Sequence, residues 1–436
     1  MKIIHLATQD IGGGGGAFDA SYRLHCNMMS VGIDSAMVVL RKETDDVTVV
    51  DISKKLFLTE RIRRFLFTIK KKYIRWKYKP SPYFFVQRRE YFSVDRLLDD
   101  FPFKPDVIIA HWVSDFVSLQ MLGEMSRITG APVLWYLMDM APLTGGCHYA
   151  FECKGYTKQC GYCPQLSSKH EQDLSSDQWF SRQKIIKKMD ITPVAGSTWL
   201  MERIEESTIF HGKQGKKILL GLNADIFTPA NQDDARSQLD LPLNKKIIFF
   251  GAQNIYEERK GIYYLIEALK LLYSMLDDNP QLKNEILVVM AGSNADKNKL
   301  DIPFEHRHIG FLRGDVALAT GYQAADVFVN PSIEDAGPMM INESILCGTP
   351  VVAFEMGVAK DLVHTSQTGY RARLKDERDM AIGIRRILEL DDNVMCKMRE
   401  NCRNLGVKLC HPSVQTQAFK ELCVEIIKYS DEGIGH

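Results

Sequence analysis

The chain has 436 residues, 45% of them apolar and 25% charged, with 55 Lys and Arg against 55 Asp and Glu. That length exceeds a usual single core, so two domains are expected in an otherwise ordinary globular composition. Zero formal net charge excludes a global field for nucleic acid, and no run approaches the roughly 18 apolar residues of a membrane helix.

The opening MKIIHLATQD lacks a basic n-region and a long apolar h-region, so no secretory leader is expected. The ten cysteines are accordingly expected in a reducing cytosol. Short β-rich runs then alternate with helical patterns, which predicts α/β domains with parallel sheets. The first run, IIHLA (Ile3–Ala7), leads into Gly12–Gly16 and a helical pattern over Ala17–Val31. Gly13, Gly14, Gly15 and Gly16 would let backbone N–H groups approach a ligand closely, where a plain flexible turn is the alternative. A dinucleotide site would want an acid closing the next strand, AMVVL (Ala36–Leu40). Arg41 and Lys42 stand there ahead of Glu43, which argues against NAD.

The stretch 54–79 carries eleven Lys and Arg against one acid, Glu60, interleaved with aliphatic and aromatic residues. This amphipathic, basic arm suits an anionic membrane surface. A solvated helix face is the plainer alternative, and nucleic acid finds no support elsewhere in the chain. Next, DVIIAHW (Asp106–Trp112) and PVLWYLMD (Pro132–Asp139) end in His111 and Asp139, placed to orient a hydroxyl or simply to hydrogen-bond structurally. Cys147, Cys153, Cys160 and Cys163 follow in a C-x5-C-x6-C-x2-C spacing within the loop 145–166. Four thiolates so spaced fit a structural zinc site, with His148 as a substitute ligand; disulfides or unpaired thiols are the alternatives.

After ITPVAGS (Ile191–Ser197) and KILLGL (Lys217–Leu222), a polar, Pro-bearing stretch marks a boundary, and strands restart with KIIFFGA (Lys246–Ala252), ILVVMAG (Ile286–Gly292), HRHIGF (His306–Phe311), VFVN and VVAF. The expected domains are therefore 1–222 and 223–412, with a helix and tail over 413–436. Arg259 and Lys260 stand at a helix mouth just after the domain's first strand, where cations would compensate a departing diphosphate. Between VFVN and VVAF lies PSIEDAGPMMINESILCGTP (Pro331–Pro350), with Asp335 and Glu343 flanking a loop that opens a helix. Its first amides, at Gly337, Met339 and Met340, favour an anion. Glu343 is placed to accept ribose hydroxyls.

This last segment resembles the donor-binding signature of the GT4 family of GT-B glycosyltransferases, in which an acidic pair brackets a Gly-containing loop ahead of a CGTP turn. The opening strand and glycine loop, the Arg-Lys pair, HWVSDFVSL and LMDMAPLTGGCHY resemble further GT4 segments in family order. Of these the last is similar to the HDMWPFTGGCHY of exopolysaccharide, colanic-acid and O-antigen enzymes with a cysteine-rich insertion. Departures are Met138 for a histidine, Gly251-Ala252-Gln253 for a Gly-Arg, and DAGP for EGFG, with Glu334 one place before the aligned Asp335. The resemblance implies two Rossmann-like domains facing across a cleft, with the C-terminal helix packing back on the first. It implies retaining transfer from a UDP- or GDP-sugar to a lipid-linked oligosaccharide in capsule or lipopolysaccharide synthesis. No cofactor would be required for the chemistry, and the enzyme would sit on the inner face of the cell membrane. It assigns the donor to Gly13–Gly16, Asp335, Gly337, Met339, Met340 and Glu343, and the catalytic roles to His111, Asp139, Arg259 and Lys260. A GT-B nucleotide-sugar 2-epimerase and a non-catalytic sugar-nucleotide scaffold are the alternatives.

Overall fold

The computed structural model describes residues 1–12, 16–53, 58–86, 93–293 and 300–431. Gly13, Gly14, Gly15 and residues 54–57 of the basic arm lie outside them. The chain divides into two compact units: residues 1–196, 200–219 and 415–436 form the first, and 197–199 with 220–414 the second.

In the first unit the strands are β1 (Lys2–Gln9), β2 (Asp34–Arg41), β3 (Val49–Asp51), β4 (Val107–Ala110), β5 (Val133–Leu137), β6 (Ile191–Ala195) and β7 (Lys216–Lys217). They form one parallel sheet in the order β3-β2-β1-β4-β5-β6-β7. Every residue of β4 and β5 is buried, as expected for strands covered on both faces. Helix α1 (Gly16–Ser30) crosses from β1 to β2, and helix α2 (Leu58–Tyr78) carries most of the basic arm. Of the run Lys217–Leu222, only Lys217 pairs as a strand. The Ile218 carbonyl is taken by the Tyr136 hydroxyl at 3.0 Å instead of by a ladder. The C-terminal helix, Pro412–Asp431, also belongs to this unit from Gln415 onward. Phe419 packs edge-on against Tyr136 at 5.0 Å, and Gln415 donates to its hydroxyl at 3.1 Å.

The second unit holds β8 (Lys246–Asn254), β9 (Ile286–Ser293), β10 (Glu305–His308), β11 (Val327–Asn330), β12 (Val351–Phe354) and β13 (Gly369–Ala372). This sheet is parallel too, in the order β10-β9-β8-β11-β12-β13. The chain leaves β8 toward one edge and returns at β11 to build toward the other. The two following loops therefore diverge and leave a ligand crevice at the carboxyl ends of β8 and β11.

Candidate functional site

That crevice is where the predicted donor residues of the second unit gather. From β8 the chain turns through Glu258–Lys260 into the helix Ile262–Met275. Gly261 joins them at φ +74°, and a Cβ there would lie 1.9 Å from the Pro331 carbonyl oxygen. The Ile333 N–H donates to the Arg259 carbonyl at 2.9 Å, so the loop after β8 is fastened to the loop after β11. The result is a compact ion cluster. Arg259 Nη1 and Lys260 Nζ lie 2.8 and 2.6 Å from Asp335 Oδ2, and Arg259 Nε lies 2.5 Å from Glu257. Burial opposes ionisation of Asp335, but Lys260, Arg259 and the Gly337 N–H overcome it and hold the carboxyl at about 2.

Beyond Asp335 the helix Met339–Leu346 starts at Pro338, which supplies no side-chain cap. Gly337, Met339 and Met340 are half-buried, whereas Glu334, Asp335 and Glu343 are buried. Met339 and Met340, which open the helix, are thus the accessible part of the loop next to two cations, an arrangement suited to phosphate, whereas the Gly337 N–H is already given to Asp335. Glu343 accepts a hydrogen bond from the Tyr322 hydroxyl at 2.7 Å. Burial and the Glu343 charge push that phenol well up, so it stays a donor.

The first unit brings a different set together. A cavity of about 60 Å³ at the ends of β4 and β5 is lined by Phe85, His111, Trp112, Met138, Asp139 and Arg182, among others. Asp139 accepts from His148 Nδ1 at 2.5 Å, Trp112 Nε1 at 3.0 Å and the Ala141 N–H at 2.7 Å. Burial works against this ion pair, yet each partner shifts the other toward its charged form, Asp139 down and His148 up. Trp112 stacks on His148 with ring centroids 6.1 Å apart.

His111 lies in the cavity wall, but its Nε2 is 2.9 Å from His5 Nδ1, and the two rings stack at 5.2 Å. Burial holds His111 down to about 3, so the ring is neutral. Among the described residues its Nδ1 has no hydrogen-bond partner. Gly16 opens α1, while Asp10, at the end of β1, accepts from Thr44 and the Glu43 N–H and so fixes the loop after β2.

His5, Trp112, Arg182 and Tyr322 are site residues that the sequence did not single out; His5 and Trp112 lie within quoted segments without a role of their own, and Arg182 and Tyr322 stand in no local signature, so only the three-dimensional packing selects them. Arg182 is buried and donates to the carbonyls of Ala141 and, at 2.5 Å, Thr144. Arg182→Ala is expected to destabilise the first unit by about 2–4 kcal/mol, since two buried carbonyls lose their donor. The urea midpoint checks this.

The zinc ligands expected from the spacing, Cys147, Cys153, Cys160 and Cys163, all lie within the described residues. Among the described residues no group of three or more His, Cys, Asp or Glu side chains is placed to hold a metal, and all ten cysteines are free. Instead Cys147 and Cys163 share a hydrogen bond that raises the former thiol and brings the latter down to about 7. Both sit in an apolar cluster with Phe67, Ile74, Phe84 and Leu166. Cys160 accepts the Gly145 N–H at 3.3 Å, and Cys153 is half-buried.

Comparisons with known proteins agree with this layout. Residues 231–408 match the family model "Glycosyl transferases group 1". A D-inositol 3-phosphate glycosyltransferase of Streptosporangium roseum is 31% identical over 173 residues, covering 37% of this chain and 38% of that protein. The chain thus spans about two fifths of the length of that curated relative. Among solved structures, sucrose-phosphate synthase from Thermosynechococcus elongatus superposes with a TM-score of 0.64 at 17% identity, over 98% of this chain and 100% of that one. Anabaena HepE in complex with UDP gives 0.63 at 15% identity, again over 98% and 100%. The fold is therefore of the GT-B class, with two parallel-sheet α/β units, and over 231–408 the chain is similar to the group 1 glycosyltransferases.

Proposed function

We propose that this protein transfers a glycosyl group from a nucleoside diphosphate sugar to a lipid-linked glycan acceptor, with retention of anomeric configuration, in cell-surface polysaccharide synthesis. The observation that carries the reading is the convergence of Arg259 and Lys260 on Asp335 beside the uncapped helix start at Pro338. Breaking the sugar–phosphate bond leaves negative charge on the diphosphate. Two preorganised cations and free helix amides stabilise that charge more in the transition state than in the substrate. Glu343 holds the ribose hydroxyls, with Tyr322 fixing its carboxylate, and Asp335 meets the sugar. The donor nucleotide in this reading is UDP or GDP.

The acceptor hydroxyl falls to the first unit, where the Asp139–His148 pair offers the polar contact and Trp112 and Phe85 an apolar wall. His111, neutral and stacked on His5, serves as a hydrogen-bonding partner and not as a cation. Among the described residues no helix is long and apolar enough to cross a membrane.

A panel of nucleotide sugars incubated with and without membrane extract tests the reading, with nucleotide release and labelled lipid product as readouts. Release that needs the extract is the expected result. Isomerised sugar without extract would indicate the 2-epimerase, and binding without turnover the scaffold. Glu343→Gln, which keeps a hydrogen-bond acceptor for Tyr322, is expected to raise the donor KM about tenfold while the fold persists. An unchanged donor KM would remove the ribose role.

A further inference from the structure

Helix α2 presents two opposite apolar surfaces, and among the described residues only one of them packs against the fold. Phe67 and Ile74 point inward and pack with Phe84, Val86, Cys147, Cys163 and Leu166. Glu60, two turns before Phe67 on the same side, pairs with Arg96. With about 100° between successive residues, Ile62, Phe65, Leu66, Ile69, Tyr73 and Trp76 form a stripe about 100° wide on the far side. Their exposures are 49, 65, 57, 48, 56 and 76%.

Charge follows the same geometry. Arg63, Lys70 and Lys77 line one border of the stripe, and Arg61, Lys72 and Arg75 the other, all of them exposed. A solvated helix would place charge, not Trp and Phe, opposite its buried face. We propose that α2 is a docking helix that lies flat in the interface of an anionic lipid bilayer, with the stripe among the acyl chains and the two basic borders at the headgroups.

The occupant follows from that complementarity. A second copy of the chain meeting stripe to stripe would bring the basic borders of both helices together, which is repulsive. A nucleic acid would be met by cations but not by six exposed apolar side chains. A bilayer satisfies both features, since aliphatic and aromatic groups enter the acyl boundary while Lys and Arg extend to anionic headgroups. Docking also has a consequence for the site. Lys71, on the same helix, lies 3.5 Å from Asp115, and Asp115 lines the cavity that holds Asp139 and Trp112. An α2 seated in the interface therefore holds that cavity beside the headgroup layer, where the sugar of a lipid-linked acceptor is presented. Only this last step rests on the transfer reading; the docking itself does not.

Sedimentation of the full chain with vesicles provides the test. Strong binding to phosphatidylcholine vesicles containing phosphatidylglycerol, and weak binding to pure phosphatidylcholine, is expected. Phe65→Ser/Ile69→Ser/Trp76→Ser should lower the anionic-vesicle affinity by about tenfold or more. The substituted side chains are exposed, so its far-ultraviolet dichroism and melting temperature should match the parent. Lys70→Gln/Lys72→Gln/Lys77→Gln should abolish the preference for anionic lipid. Binding that the apolar triple leaves intact, absence of binding at low salt, or a dimer that the apolar triple dissolves would each overturn the proposal. Vesicle binding without any transfer activity leaves it standing and counts only against the proposed reaction.

Discussion

Lys260→Ala is expected to cut kcat for sugar transfer about 10²- to 10³-fold, with a much smaller change in donor KM. Lys260 matters most when the diphosphate takes up the bonding electrons, and a single preorganised donor to such a charge is worth roughly 3–4 kcal/mol. The cation stands 2.6 Å from Asp335 on a turn locked by Gly261 against Pro331, so it is already in place before reaction. Arg259 remains bound to the same carboxylate oxygen in the variant, so Asp335 keeps a counter-ion and the melting temperature should change little. Lys260→Arg should recover part of the rate. Steady-state kinetics over donor concentration decide the matter: an unchanged kcat would sink the assignment, and a fall in melting temperature with normal turnover would make Lys260 merely structural.

Acid is expected to unfold the first unit well before carboxylates titrate. His5, His25 and His111 are buried together, with His5 5.6 Å from His25 and 5.2 Å from His111 between ring centroids. Burial brings His25 down to about 4 and His111 to about 3, and places His5 well below the usual imidazole range. In the unfolded chain all three take a proton below about pH 6.5. The unfolded state therefore binds more protons as pH falls, and the stability present above pH 6.5 is lost progressively below it, down to the folded values. Each histidine accounts for about 2 kcal/mol between pH 7.5 and 5, and the three for on the order of 6 kcal/mol. That is comparable with the whole stability of an ordinary domain.

His148 acts in the opposite sense, because Asp139 raises it: its contribution is complete below pH 6.5 and is lost as pH rises through the raised value. Asp139 and Asp335 are held below their ordinary range, so their contributions fail only below about pH 4. Denaturant melts between pH 7.5 and 5 should show a net uptake of about two protons on unfolding. Stability that does not vary with pH in this window would mean that the three rings are solvated.

The parts of the fold legible in sequence are those where period and burial coincide. Strands such as β4 and β5 announce themselves as short apolar runs because both of their faces are covered. By contrast β3, three residues at a sheet edge, and β13, a GYRA segment only half-buried, carry too little apolar pattern to stand out. In the second unit the acids and cations of the candidate site were legible because each lies in a loop with its own local signature. What brings them together, the Ile333–Arg259 hydrogen bond and the contact of Gly261 with Pro331, joins segments some seventy residues apart. Tyr322 and Arg182 escaped because a tyrosine or arginine within a helix looks the same whether it faces solvent or a buried carboxylate. The cysteine spacing specifies neighbours along the chain and not geometry, and the thiols of Cys147 and Cys163 turn toward each other inside an apolar cluster.

The Asp335 carboxylate has a further consequence for turnover. By holding Lys260 and Arg259, it is an anion belonging to the protein that competes for the cations a diphosphate would use. Once the sugar has left, the remaining nucleotide must contend with a rival that never diffuses away. In the proposed transfer, an enzyme so built would release its product faster than its cations alone would allow, and neutralising that rival should make departure of the nucleotide, not chemistry, the slow step.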